Sequence, residues 1–160
     1  MYKVKNDLSE NVRKQAIELL NARLSDGVDL HYQAKQAHWN VKGPNFIALH
    51  ELFDKVADAA ESHNDLMAER IAALGGTAEG TVAVAAKQSQ LSAYPLNISS
   101  GREHVEALSS ALASFARAVR KAIDESAGFG DVDTSDVFTE ISRETDKNLW
   151  FVEAHSQADR

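Results

Sequence analysis

The chain has 160 residues, a formal charge of −7, 44% hydrophobic and 26% charged residues, and no cysteine. That length and composition suit one folded domain with a single core rather than a disordered chain. The missing cysteines exclude disulfides, thiolate zinc sites and cysteine nucleophiles, and the negative charge opposes nucleic-acid binding through the overall field.

The opening MYKVKNDLSE has no apolar h-region, so residues 1–8 read as a short tail, with Lys3 and Lys5, rather than a signal peptide. No apolar run approaches the roughly eighteen residues of a membrane span. A cytoplasmic location is the expectation. The first helical segment runs from about Ser9, a candidate N-cap, to Asn40. Val12, Ala16, Leu19, Leu20, Leu24, Val28 and Leu30 roughly track one face of it, and Gly27 interrupts it. The second runs from Asn45 to Leu74, between Gly43-Pro44 and Gly75-Gly76. A third follows Ser99-Ser100 and reaches about Ala127. The fourth starts near Asp133, with Asp136 as capping partner, and continues to about His155.

Between the second and third lies GGTAEGTVAVAAKQSQLSAYPLNISS, too long for a turn between neighbouring helices and able to form a short helix of its own. Four long helices with one long crossover predict an all-α, ferritin-like four-helix bundle spanning residues 1–160 as one domain.

The second segment carries His50, Asp54, Asp65 and Glu69. At roughly 100° per residue they fall within about 100° of one another, and each i, i+4 pair projects together as a chelating pair must. One helix cannot bring both pairs to one ion. A rise of ~1.5 Å per residue separates Asp54 from Asp65 by about 16 Å, whereas metal–ligand bonds are only ~2.0–2.2 Å. A second antiparallel copy related by a two-fold axis between Ala59 and Ala60 sets His50 and Asp54 level with the other copy's Asp65 and Glu69. Ala57 and Ala60 flank that level and would permit close approach. His38 and His50 each lie six residues from Pro44, so a hairpin folded there sets them level.

Two imidazoles and three carboxylates make a sulfur-free site suited to ferrous iron, and equally to zinc. The alternative is ordinary solvated and core residues, which isolated pairs of this kind usually are. Glu61 projects on the same face and either joins the site or faces solvent. His31, His63, His104 and His155 read as structural or surface residues, and Trp39 as core or interface packing.

The runs KQAHWNVKGPNF, LHELFD and DLMAERIAALGG, with SAYPLNI, VRKAI and SRETDKNLWFVE, resemble the Dps family of mini-ferritins from Asn6 onward. The resemblance implies a hollow shell of twelve subunits. It implies a ferroxidase site at the two-fold interface, with His38, His50 and Asp54 from one subunit and Asp65 and Glu69 from its neighbour. Such a site oxidises Fe(II), preferably with hydrogen peroxide, stores ferric mineral and limits hydroxyl radicals. Trp39 then lies close to the site as an electron donor. No glutamate has a histidine three residues later, so the intrasubunit Glu-x-x-His site of larger ferritins is absent. The family's acidic three-fold pore falls on Asp131, Asp133, Asp136 and Glu140, with Asp133 and Asp136 foremost. DNA-binding members commonly carry a lysine-rich extension, which the short tail lacks, so direct DNA binding is expected to be weak.

Overall fold

The computed structural model describes residues 1–157. Five helices appear in the order α1 (Glu10–Asn40), α2 (Phe46–Ala73), α3 (Val82–Gln88), α4 (Gly101–Gly128) and α5 (Val132–Gln157). The four long ones form two hairpins, α1 with α2 and α4 with α5, laid side by side so that α1 meets α4 and α2 meets α5. The expected short crossover helix is α3, which packs on α1. The crossover spans the length of the bundle, because α2 ends opposite the α1–α2 turn while Ser100 returns to pair with Lys42 beside that turn.

Helix starts follow their caps. Ser9 accepts a bond from the Val12 N–H, and Ser100 forms a capping box with Glu103. Capping satisfies N–H groups that have no intrahelical partner. The α1–α2 turn depends on Gly43, at φ 118°, which a side chain would strain. The start of α5 departs from expectation. Its cap is Asp131, whose Oδ1 accepts from the Thr134 N–H at 3.0 Å, rather than an Asp133–Asp136 pairing. Asp131 wins because Arg70 of α2 donates to the same carboxylate at 2.7 Å, a tertiary partner that local spacing does not reveal.

Phe53, Phe115 and Phe138, with Leu20, Leu24, Leu30 and Ile141, form the largest part of a continuous core. Each such side chain contributes about 1.5–3 kcal/mol by leaving water. Val12, Leu19 and Val28 sit only at its margin. Ala57 and Ala60 lie inside this core, at 0% and 2% exposure, and so do not flank an outer interface as their spacing predicted. They are small because α1 passes close by. The same closeness explains Gly27, where a Cβ would collide with the Asn64 side chain of α2.

The crossover is fastened by buried polar groups. Asp26 accepts from the Gln90 N–H at 2.7 Å and from Arg23 at 2.8 Å. Asp29 accepts from Ser89 at 2.6 Å and from Gln33 at 3.1 Å. Residues of the tail are also tied down, for the Tyr2 N–H donates to the Gly75 carbonyl at 2.7 Å, just beyond α2.

Candidate metal centre

His38 near the end of α1 and His50 near the start of α2 stand level across the turn, as their equal distance from Pro44 predicts. Their rings stack with centroids 3.7 Å apart and planes 22° apart. Each is tied to the other's backbone. His38 Nδ1 lies 2.7 Å from the His50 carbonyl, and His50 Nδ1 lies 2.8 Å from the His38 carbonyl. A carbonyl oxygen can only accept, so both Nδ1 atoms carry hydrogen and donate. That leaves Nε2 of each ring with its lone pair, and a carbonyl behind Nδ1 is the usual orienting device for a metal-binding imidazole.

Asp54 stands one turn beyond His50, its Oδ1 3.8 Å from His38 Nδ1. The same oxygen accepts a bond from Lys35 of α1. That bond, followed by the nearby imidazoles, holds the Asp54 carboxyl below the usual aspartate range. Lys35 therefore keeps Asp54 ionised while competing with any cation for it. Spacing toward metal ligands does not single out Lys35. Its signal is the same hairpin rule, since Lys35 is nine residues before Pro44 and Asp54 ten after.

Asp65 and Glu69 lie exposed farther along α2. Among the described residues no three His, Asp or Glu side chains converge to hold an ion within one chain. The structure thus stacks His38 on His50 with Asp54 beside them, without closing the three into a metal-holding cluster, and leaves Asp65 and Glu69 farther along α2. Trp39 is 60% exposed and does not pack in the core of its own chain. The Lys35 ammonium lies 5.8 Å from its ring centroid. Phe46, 39% exposed, lies 5.0 Å from the His50 ring.

The remaining histidines have structural ties. His63 bonds Glu144 at 2.8 Å, His31 Nδ1 lies 2.9 Å from the Ala57 carbonyl, and His104 Nδ1 lies 2.8 Å from the Tyr94 hydroxyl. His155 is exposed. Of the four acids near the start of α5, Asp131 is 1% exposed and bonded to Arg70, so it cannot line a pore. Asp133, Asp136 and Glu140 are exposed.

A ferritin-like domain model matches residues 17–160. The chain is 46% identical over 156 residues to the DNA protection during starvation protein of Agrobacterium fabrum, covering 98% of this chain and 96% of that one. The Mycobacterium smegmatis Dps structure superposes with a TM-score of 0.91 at 32% identity, covering 96% of this chain and 94% of that one. The chain belongs to the Dps family. A second Dps structure, from Microbacterium arborescens in its high iron form, gives a TM-score of 0.85 at 35% identity over 92% of this chain and 95% of that one. The helix order and the short crossover helix are therefore those of a Dps subunit within the ferritin-like class.

Proposed function

We propose that this Dps subunit oxidises and stores iron at a site that two copies complete together. Family membership supports iron storage and protection of DNA. One observation carries the chemical reading. The reciprocal His38–His50 clasp occupies Nδ1 of each ring and leaves both Nε2 lone pairs free, with Asp54 Oδ1 3.8 Å from His38 Nδ1, yet a single chain supplies only that half of a coordination sphere. Asp65 and Glu69 of the partner subunit are the other half, set level by an antiparallel two-fold pairing of α2. Residues His38, His50 and Asp54 bind Fe(II) as substrate, and the nitrogen and oxygen donors favour it with coordination positions left open. Two ferrous ions each give one electron to hydrogen peroxide, whose O–O bond breaks and which leaves, with two protons, as two waters. Trp39, next in sequence to His38 and exposed, is the nearest aromatic electron donor.

Zinc fits the same donors and acts as a competing occupant. Twelve copies in a shell provide the volume for ferric mineral, with Asp133 and Asp136 as exposed acids at a cation entrance. Protection of DNA follows from removing Fe(II) and peroxide together. The charge of −7 opposes coating DNA directly.

Fe(II) oxidation by added peroxide tests the site. The double substitution His50→Ala with Asp54→Ala is expected to slow it roughly 100-fold, since losing even outer partners of metal ligands costs about 10–100-fold. Equal rates in wild type and variant remove these residues from the chemistry.

A further inference from the structure

His31 stands seven residues before His38 on α1, and Ala57 stands seven residues after His50 on α2. The contact between them repeats the site's own geometry. His38 Nδ1 donates to the His50 carbonyl at 2.7 Å, and His31 Nδ1 lies at 2.9 Å from the Ala57 carbonyl. Seven residues are close to two helical turns, so the same packing recurs one step down both helices. The carbonyl again fixes hydrogen on Nδ1 and leaves Nε2 with a free lone pair.

The carboxylate repeats as well. Asp54 follows His50 by four residues, and Glu61 follows Ala57 by four. At about 100° per residue Glu61 falls between His50 and Asp54 around α2. It is exposed. Two elements of the first site are missing from the copy: the second imidazole, since Ala57 stands where His50 would, and the lysine. Lys35, which occupies the Asp54 carboxylate, has Val28 at the equivalent position seven residues earlier. Valine cannot neutralise a carboxylate, so Glu61 meets no such competitor there.

We propose that His31 and Glu61 form a second divalent-cation site, a copy of the His38–Asp54 pair displaced by about 10 Å along the α1–α2 seam. It rests on the two-fold pairing of the proposed function for its third ligand, because the axis between Ala59 and Ala60 sets Asp58 of the partner subunit level with Glu61. One imidazole and two carboxylates take Fe(II) or Zn(II) at a station close to where oxidation occurs.

Crystals of the assembled protein soaked with Zn(II), with anomalous differences collected at the zinc edge, test this directly, and calorimetric Zn(II) titration gives the same answer in solution. The expected result is density beside His31 Nε2 in wild type that disappears in Glu61→Gln, together with loss of one binding step. Glu61 is exposed, so this variant keeps the fold. His31→Ala is expected to lose the same ion while retaining the one at His38 and His50. Zinc only at His38 and His50 overturns the second site and leaves the proposed function standing. Zinc only at His31 supports the second site and overturns the first ligand set. An ion lost in His31→Ala but kept in Glu61→Gln overturns the pairing of these residues.

Discussion

At the start of α2, His50 and Asp54 leave part of their bonding capacity open. His50 uses one ring nitrogen on a backbone carbonyl, and Asp54, with its side chain 40% exposed, receives a single bond from Lys35. At the end of the same helix, Arg70 and Asp131 are closed. Their side chains are 14% and 1% exposed. Arg70 donates to Asp131 Oδ1 at 2.7 Å and to the Thr134 hydroxyl at 3.0 Å, while Asp131 Oδ2 accepts that hydroxyl at 2.6 Å. Charges taken out of water must be paired and saturated, which makes the far end a fastening. Charges left at the surface with an open position can still exchange one partner for another. Burial and spare valence, more than residue type, separate the open end from the structural one.

The strongest way to break this comparison is to open the closed end. Asp131→Ala leaves the Arg70 guanidinium without its buried partner and is expected to cost about 3–5 kcal/mol. Urea unfolding reads it, and a change under about 1 kcal/mol means that the α2–α5 junction is not held by this pair.

A smaller effect concerns His104 of α4, whose ring nitrogen lies 2.8 Å from the Tyr94 hydroxyl of the crossover. Burial keeps the His104 imidazole below the ordinary histidine value of 6.5. The folded chain therefore resists a proton that the unfolded chain accepts. The contribution is complete above about 6.5 and is lost as pH falls through the folded value. Thermal midpoints measured downward from about pH 7 should decline in wild type, and His104→Asn should flatten part of that decline. An identical slope in both proteins would sink the assignment.

The smallest expected effect sharpens the open end itself. Lys35→Met removes the cation that occupies Asp54. Exposed pairs of this kind are worth about 0.2–1 kcal/mol, so Zn(II) affinity at the site should rise by about 1.4- to fivefold. Unchanged affinity in calorimetry means Lys35 does not compete.

Much of the fold was legible because it is governed by local rules. Ser9, Asn45 and Ser100 precede helices, Gly43-Pro44 breaks the chain, and the crossover is too long for a simple turn. The level placement of His38 and His50 also followed from counting residues about Pro44. Ala57 and Ala60 face the core rather than an outer interface, because a helical wheel gives a direction but does not say which neighbour lies there. The family pattern sets Asp131 among the pore acids, whereas its partner Arg70, 61 residues away in sequence, draws it inside. Lys35 is hidden from local spacing for the same reason, 19 residues from Asp54.

The amino-acid sequence by itself determined the helices, their breaks and which side chains share a face, since those depend on backbone preference and a fixed angular period. Only the tertiary structure decided which nitrogen of each histidine is free, which aspartate is neutralised and which is sealed inside. Those outcomes turn on hydrogen bonds between segments far apart in the chain, and such bonds exist only when packing brings donor and acceptor to about 3 Å.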